Sequence, residues 1–327
     1  MHPLISILIP HYNTPNKLAS MLQSIARQTL KDLEVIVVDD FSTDSCTGVV
    51  EAFQNKGLPV RLLTTDKRIY TLQARLRGVA AAKAEIIAFA DADDQLWGTD
   101  TLEMHVNKFL QEEPDVLHFP AVLTDEKGTF SMYAPLSLPL APVLTGTAIF
   151  EKFSVANIWG NSCLWNKLFS RDLVMQVQNI AQKSSILRHV EDLYLMSYYL
   201  FHAKKYIGSN SIGYGYYFKD KMDKDAYERS LYTFYILNEI PIYLENHGCS
   251  KETIAAYVKN VQEYFRSCAG KMCISMFHQY GDIIPDAVLN QLAHRASPET
   301  IAKMLILANR LNAQIILDTF HALYQLP

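Results

Sequence analysis

Short apolar runs and helical repeats alternate along the first 90 residues of the chain. Between the runs, apolar residues recur at helical spacing, as in Leu18, Met21, Leu22 and Ile25, and an alanine-rich stretch at 72–83 predicts a further helix. Continuous apolar runs rich in β-branched residues are typical of strands that are buried on both faces. Four such strands are predicted, at residues 5–10, 35–38, 60–63 and 86–89.

This alternation predicts an α/β fold with a doubly wound, mostly parallel sheet and helices on both faces, because parallel neighbours need crossover helices. In such sheets, ligands bind beyond the carboxyl ends of the strands. The side chains that directly follow the second and fourth strands are therefore the first candidates for a functional site.

The pattern changes after about residue 100. A segment with three prolines at residues 133–145 predicts a surface loop. It is followed by a predicted helix at 186–201 and by an extended stretch rich in glycine and tyrosine at 206–218. After about residue 226 the pattern is all-helical, and Ser297 with Pro298 supplies a cap and a proline at the first helical position. We predict an α/β domain at 1–225 and a helical region at 226–327.

The strongest local signal is Asp91-Ala92-Asp93-Asp94, which follows the fourth predicted strand. Three carboxylates within four residues repel one another unless a cation compensates them. Oxygen-rich ligands suit Mg²⁺ or Mn²⁺, which bind one or two carboxylates together with substrate phosphates. The alternative is a solvated turn with helix-capping aspartates, and the position at a strand end favours the metal.

A second acidic pair, Asp39-Asp40, follows the second predicted strand. A carboxylate at this edge can accept a hydrogen bond from a base N–H or a ribose hydroxyl, whereas the alternative is helix capping. In the turn after the first strand, Tyr12 is a candidate for stacking on a base, or it only closes the turn.

Several classes of site are disfavoured by what the sequence lacks. Neither the G-x-G-x-x-G fingerprint, nor a Walker A sequence, nor a paired-histidine metal motif occurs, and the five cysteines have no zinc-ligand spacing. A net charge of −4 at pH 7 disfavours nucleic acid as the main partner. The N-terminus shows no signal-peptide pattern and no segment approaches ~18 consecutive apolar residues, so a cytoplasmic protein is predicted.

Taken together, these segments resemble the family 2 glycosyltransferases with the GT-A fold, in particular members that build bacterial polysaccharides. The resemblance covers roughly residues 4–218. It is carried by Ile-Ser-Ile-Leu-Ile-Pro-His-Tyr-Asn at 5–13, Gln28-Thr29, Val-Ile-Val-Val-Asp-Asp-Phe-Ser-Thr-Asp at 35–44, Gln-Ala-Arg at 73–75 with Gly78, Ile-Ala-Phe-Ala-Asp-Ala-Asp-Asp at 87–94, Trp-Asn-Lys-Leu-Phe at 165–169 and Glu-Asp-Leu at 191–193.

The resemblance implies an inverting transfer from a nucleotide sugar, with UDP favoured, assisted by Mn²⁺ or Mg²⁺. It makes Asp192 the general base, with Glu191 beside it; the alternative for this pair is an exposed first helical turn, where acids are favoured. Asp93 is then the expected metal ligand, together with Asp91 and Asp94. The donor-binding residues that it implies are Pro10, Tyr12, Asp39 for the base, Asp40, Arg75, Asp91 for the ribose or metal-side hydroxyls, and Lys167.

The chain also departs from the family pattern. The family often has Asn-x-Gly before the Gln-Ala-Arg segment, but residues 66–70 are Asp-Lys-Arg-Ile-Tyr, Leu76 stands where asparagine is usual, and Ala84 where glycine is usual. Lys67 and Arg68 become candidates for diphosphate contacts instead.

The leading hypothesis is therefore a glycosyltransferase that extends a bacterial surface glycan and takes a glycan or lipid-linked acceptor. One alternative is a sugar nucleotidyltransferase, but this chain lacks the glycine-rich and basic first loop that is expected of such an enzyme. The other alternative is a non-catalytic relative that binds a nucleotide or a glycan. For residues 226–327, packing on the catalytic domain or homo-oligomerisation is favoured over peripheral association with the inner face of the membrane, because the charges at 299–326 are balanced.

Overall fold

The chain divides into two compact units, Met1–Lys219 and Asp220–Pro327. The computed structural model describes residues 2–125, 128–133, 137–156, 158–181, 187, 190–217, 236, 237 and 239–263. Within the second unit, the described residues are helical at 236–237, 239–246 and 251–263. The predicted domain boundary at 225/226 and the helix predicted to begin at Ser297 lie outside the described residues.

The first half of the first unit alternates strictly between strands and helices. Its elements are β1 (Ile5–His11), α1 (Pro15–Ala26), β2 (Leu33–Asp39), α2 (Thr47–Gln54), β3 (Val60–Thr64), α3 (Tyr70–Ala81) and β4 (Ile86–Phe89). These elements agree with the predicted order, and Pro15 occupies the first turn of α1, where its missing N–H costs nothing.

The second half of this unit has shorter elements. They are β5 (Gln95–Leu96), α4 (Thr101–Glu112), β6 (Val116–His118), β7 (Ala121–Thr124), β8 (Phe130–Tyr133), β9 (Val143–Thr145), α5 (Ala148–Val155), α6 (Ile158–Asn161), β10 (Lys167–Ser170), α7 (Arg171–Ala181), α8 (Glu191–His202), β11 (Lys205–Gly208) and β12 (Tyr214–Tyr217). The loop prediction for 133–145 is wrong at its end, because β9 pairs with β11 there.

The strands form one large sheet and one small sheet. The large sheet has the order β3-β2-β1-β4-β10-β6-β11-β9, and β3, β2, β1 and β4 are all parallel. Strand β10 lies antiparallel between β4 and β6. The small sheet has the order β5-β12-β7-β8. The predicted α/β fold with a mostly parallel sheet is confirmed.

Both faces of the parallel strands are covered. Ile5, Ile7 and Ile9 of β1 belong to a core cluster with residues of α1 and α2. On the opposite face, α3 approaches so closely that a Cβ on Gly78 would lie 3.5 Å from Leu8 Cβ. Burial on both faces explains why these strands are apolar throughout. It also leaves their carboxyl ends as the place where polar side chains converge.

None of the helices in the described ranges combines the length and the apolar character that a bilayer crossing demands.

Candidate active site

A cavity of about 340 Å³ lies at the edge of the sheet where β1, β2 and β4 end. Its wall is formed by the turns after these strands, the segment that leads into α3, and the first turn of α8. Eight of the predicted site residues line it: Pro10, Tyr12, Asp40, Arg75, Asp91, Asp93, Glu191 and Asp192. Asp39, Asp94 and Lys167 do not.

Arg75 is the centre of the acidic end of the cavity. Its guanidinium is 3% exposed, and one amino group lies 2.9 Å from Asp91 Oδ1. The other amino group lies 2.9 Å from Glu191 Oε1 and also contacts Asp192. Burial alone would lower the pKa of Arg75, but the three carboxylates, Asp192 first, raise it. Arg75 is therefore a permanent cation that draws the turn after β4 and the first turn of α8 together.

The two aspartates on Arg75 are more basic than ordinary carboxylates. Burial raises the pKa of Asp192 to about 6, with Arg75 acting in the opposite direction and Glu191 adding to the rise. Burial likewise raises the pKa of Asp91 to about 6, again against Arg75 and with Asp192. At neutral pH both are ionised, and each accepts a proton more readily than an exposed carboxylate does.

Asp93 is the most exposed carboxylate of this end, and its side chain is 49% exposed. Lys17 Nζ lies 3.2 Å from Asp93 Oδ2 and 5.1 Å from the centre of the Tyr217 ring. With Asp91, Glu191 and Asp192 on Arg75, the group contains four carboxylates and two cations. Among the described residues, this end of the cavity therefore has a net charge of −2.

Asp94 faces away from the cavity. Its Oδ2 accepts a hydrogen bond from the Tyr214 hydroxyl at 2.9 Å, and its Oδ1 accepts one from the Tyr217 N–H at 2.8 Å. The same hydroxyl accepts the Asp91 N–H at 3.0 Å. Burial raises the pKa of Asp94 well above its usual range. The carboxylate thus fixes the turn after β4 to β12, which is a positioning role rather than the predicted metal ligation.

Lys167 is also outside the cavity. It is 1% exposed, and its Nζ donates to the Cys163 carbonyl at 2.6 Å and to Asn166 Oδ1 at 2.8 Å. Burial lowers the pKa of Lys167 to about 8. These contacts give the residue an internal structural role, and they do not support the predicted contact with the donor.

Asp39 lies at the end of β2 within a hydrogen-bond network. The Thr14 N–H donates to His11 Nε2 at 3.2 Å, so the proton of this ring is on Nδ1, which donates to Asp39 Oδ1 at 3.0 Å. The Ser42 hydroxyl donates to the same oxygen at 2.5 Å. Since both contacts use Oδ1, Oδ2 is the oxygen that remains for a ligand.

His11, Asp39 and Cys46 also bring ligand atoms within 4.8 Å of one another. Both nitrogens of His11 are already used in hydrogen bonds, and burial, followed by the charge of Asp39, raises the pKa of the Cys46 thiol to about 11. A neutral thiol and an occupied imidazole are poor metal ligands. This group is better explained as the support that orients Asp39.

Asp40 has a capping role, and the helix that it caps is α3, which begins 30 residues later in the sequence, not the helix that directly follows it. Its carboxylate accepts the N–H groups of Ile69 at 2.6 Å and Tyr70 at 2.9 Å, which are the first donors of α3. Tyr70 has a φ of 63°, in the left-handed region that favours glycine. Arg68 Nε lies 2.7 Å from Asp40 Oδ2. The predicted alternative of helix capping therefore describes Asp40.

Sequence reasoning missed three residues of this site. His11 and Lys17 carried no signal of their own, because one is the last residue of β1, the other lies in the first turn of α1, and neither belongs to a recognisable pattern. Tyr214 stood among several tyrosines in an extended stretch, and its contact with Asp94 spans 120 residues. Only a strand pairing that brings β12 to β5 could have indicated that contact.

Comparison with curated proteins identifies several glycosyltransferases. The chain is 24% identical over 318 residues to the cholesterol galactosyltransferase of Borreliella burgdorferi. This alignment covers 92% of this chain and 82% of the relative. It is 37% identical over 94 residues to the glycosyltransferase GlyG of Streptococcus pneumoniae, and this alignment covers 29% of this chain and 31% of the relative.

Solved structures with the same fold include S. aureus TarS in complex with UDP-GlcNAc. The TM-score of this match is 0.62, the sequence identity is 15%, and the match covers 91% of this chain and 89% of the TarS chain. The mannosyltransferase PcManGT from Pyrobaculum calidifontis, in complex with GDP-Man and Mn²⁺, matches with a TM-score of 0.54, 14% identity and coverage of 90% and 80%. Likeness at this level of identity concerns the fold.

The family model for glycosyl transferase family 2 matches residues 6–177, which is more than half of the 327 residues. The matched segment runs from the second residue of β1 through β4, and it includes Tyr12, Asp40, Arg75, Asp91 and Asp93 of the cavity. This protein is a glycosyltransferase, and it belongs to glycosyl transferase family 2.

Proposed function

We propose that this protein is an inverting, metal-assisted glycosyltransferase that uses a nucleotide sugar, with UDP favoured, and a hydroxyl group of a glycan or lipid-linked acceptor. One observation carries the proposal: carboxylates from the turn after β4 and from the first turn of α8 converge on one cavity around Arg75. Family membership sets aside the nucleotidyltransferase alternative, whereas a non-catalytic relative is an outcome of the test below.

The donor is proposed to lie along the carboxyl edge of the sheet. In this proposal the base N–H donates to Asp39 Oδ2, the oxygen that His11 and Ser42 leave unused, and the base stacks on Tyr12, which is 42% exposed. Asp91, which lines the cavity and contacts Arg75, is proposed to accept a ribose hydroxyl. The UDP and UDP-GlcNAc complexes of TarS support a uridine nucleotide, and the GDP-Man complex of PcManGT supports a nucleotide sugar more generally.

A divalent cation fits the acidic end of the cavity. The net charge of −2 from four carboxylates and two cations is matched by one divalent ion, and Asp93 and Asp91 supply oxygen ligands of the kind that Mn²⁺ and Mg²⁺ take. Asp94 is left out, because its two oxygens are both hydrogen-bonded to β12. When bound, such an ion neutralises the charge that develops on a leaving diphosphate.

Asp192 is proposed as the general base. The acceptor hydroxyl gives its proton to the Asp192 carboxylate as its oxygen bonds to the anomeric carbon, and the bond from that carbon to the diphosphate oxygen breaks with inversion. The raised pKa of Asp192, about 6, makes it a better proton acceptor while leaving it ionised at pH 7. Arg75 orients this carboxylate, and Glu191 holds the second position on the same amino group.

Donor hydrolysis and transfer with and without Mn²⁺ test the proposal, using UDP-sugars and GDP-sugars. Asp93→Asn keeps the size of the side chain and removes its charge, so we expect Mn²⁺ binding and metal-dependent turnover to be lost. Asp44→Asn is the matched control, since Asp44 is an exposed aspartate outside the cavity. Turnover that is equal without any divalent ion would reject the metal-assisted mechanism, and binding without turnover would favour the non-catalytic relative.

Cytoplasmic location, peripheral membrane association and oligomerisation through residues 226–327 stay predictions.

A further inference from the structure

Among the described residues that line the cavity, Arg68 is the cation whose position the proposed mechanism does not use. Its guanidinium carbon lies 3.1 Å from the centre of the Tyr12 ring and 5.3 Å from the centre of the Tyr70 ring. Its Nε lies 2.7 Å from Asp40 Oδ2, although its N–H does not point at that oxygen. Two aromatic rings and one carboxylate therefore restrict the orientation of a side chain that is 33% exposed.

The two amino groups of Arg68 have no hydrogen-bond acceptor among the described residues. The contacts that hold the side chain use its ring-facing surface and Nε, and they leave both amino groups at the wall of the cavity. The backbone at Tyr70 is held in a left-handed conformation that a bulky residue rarely adopts. Strain of this kind next to a cavity points to a functional constraint. The amino groups are thus held in one orientation at the cavity wall, where a ligand in the cavity can accept from them.

The position of Arg68 selects the nucleoside end of the donor. Tyr12 and Asp40 follow β1 and β2, next to Asp39, whereas the carboxylates suited to a metal ion, and through it to a diphosphate, follow β4. The Asp40 carboxylate also offsets the charge of Arg68, which weakens it as a partner for phosphate but leaves its planar donors intact. A guanidinium fixed on an aromatic ring is pre-organised for directional hydrogen bonds.

We infer that Arg68 is a specificity-determining residue of the donor site, whose amino groups donate to a carbonyl oxygen of the nucleobase. The inference rests on the proposed nucleotide-sugar function. Uracil and guanine present such an oxygen, and adenine does not. The amino groups of Arg68 therefore select a carbonyl-bearing base, while Asp39 accepts the base N–H.

Calorimetric titration with UDP, GDP, ADP, uridine and guanosine in the presence of Mn²⁺ tests the inference. The variants are Arg68→Met and Arg68→Lys, and the matched control is Arg77→Met, because Arg77 is an exposed arginine of α3 outside the cavity. Loss of a charge-assisted hydrogen bond predicts a roughly 10- to 100-fold weaker affinity of Arg68→Met for the preferred diphosphate and, by the same factor, for its nucleoside. The preference over ADP should fall in parallel. Arg68→Lys should not restore it, since lysine lacks the planar pair of donors.

A loss seen with the diphosphate but not with its nucleoside would overturn the inference, because Arg68 would then contact phosphate. Unchanged affinities or full rescue by Arg68→Lys would overturn it as well. If the wild type binds none of these nucleotides, the proposed function fails, and this inference with it. That failure is visible before any variant is examined, so the two outcomes are distinct. Thermal unfolding of each variant at the wild-type temperature excludes misfolding as the cause of a loss.

Discussion

The two ends of the cavity are both built from aspartates at the ends of parallel strands, yet their charges are in different situations. After β2, Asp39 is bonded to His11 and Ser42, and Asp40 to two backbone N–H groups and close to Arg68. After β4 and on α8, four carboxylates share two cations. At the first end, folding gives both carboxylates hydrogen-bond donors, and with Arg68 close to Asp40 the net charge is −1. The second end carries a net charge of −2 that folding alone does not compensate, and this is where we expect the metal and the chemistry.

Substitution of the proposed base should have the largest effect. Asp192→Asn keeps the shape of the side chain but cannot accept the proton, so we expect the rate of transfer to fall by ~10²–10⁴-fold while the affinity for UDP or GDP stays within a few-fold. Single-turnover transfer and calorimetric titration measure the two quantities separately.

Asp172→Asn is a control for this variant, since it also changes an aspartate in the first turn of a helix, on α7. Normal transfer by Asp192→Asn would place the base elsewhere and would leave Glu191 as the next residue to test. Loss of nucleotide binding together with transfer would instead assign Asp192 to the donor site.

The second largest effect is expected on stability, at the support behind the acidic end. Tyr214→Phe removes the hydroxyl that donates to Asp94 and accepts the Asp91 N–H, and so leaves two buried polar groups without a partner. We expect a loss of about 1–3 kcal/mol in the free energy of unfolding. Chemical denaturation followed by circular dichroism measures it.

Tyr199→Phe is a well-matched control for Tyr214→Phe. Tyr199 is also fully buried, but its hydroxyl has no hydrogen-bond partner among the described residues. Its removal should therefore be neutral or slightly stabilising. Equal effects of the two substitutions would show that the hydroxyl of Tyr214 does not hold the turn after β4.

The contrast between the two ends also explains how much could be predicted from sequence. The alternating strands and helices up to β4 were predicted because both faces of these strands are buried, and parallel strands place their following acids at one edge. The direction of each carboxylate was not predictable. Asp93 and Asp94 are neighbours, but only Asp94 meets Tyr214, and that contact depends on the pairing of β12 with β5. Arg75 likewise meets Glu191 across 116 residues of sequence.

The antiparallel strand β10 and the edge strand β9 escaped prediction for a related reason. Each has only three or four residues and lacks the continuous four-residue apolar run that revealed β4, and their pairing is decided by neighbours that lie far along the chain. Arg68 was predicted as a diphosphate contact from its charge, whereas its stacking on Tyr12 and its proximity to Asp40 can be seen only in the folded chain.

The next smaller effect is expected in the pH dependence of transfer, which reports on Asp192 at the acidic end. Because burial raises the pKa of Asp192 to about 6, we expect kcat/KM to fall about tenfold per pH unit below about pH 6 and to be flat above it. A pH profile with a stable nucleotide sugar measures this. A profile that breaks near pH 4 would show an ordinary carboxylate at this position.

The same pKa values fix the sign of the effect on stability. With folded pKa values of about 6 for Asp91 and Asp192, above the usual value of about 3.9 in an unfolded chain, the folded state binds more protons between these pH values. The contribution of these groups to stability therefore decreases as pH rises from about 4 to about 6, and Asp192→Asn should reduce that slope. A steeper slope in the variant would contradict the assignment.

The smallest expected effect concerns Lys17, the cation that already occupies one oxygen of Asp93. Lys17→Met removes a charge that competes with a metal for this carboxylate, so Mn²⁺ should bind more tightly in the absence of a donor. The pair is half exposed, and exposed ion pairs contribute about 0.2–1 kcal/mol, so the gain in affinity should be about fivefold at most. Electron paramagnetic resonance of free Mn²⁺ measures it, and Lys83→Met, which changes an exposed lysine outside the cavity, is the control. Weaker Mn²⁺ binding in Lys17→Met than in the control would mean that Lys17 orients Asp93 for the metal. The cations of the acidic end would then hold its carboxylates in position, as the hydrogen-bond partners of Asp39 and Asp40 do at the other end.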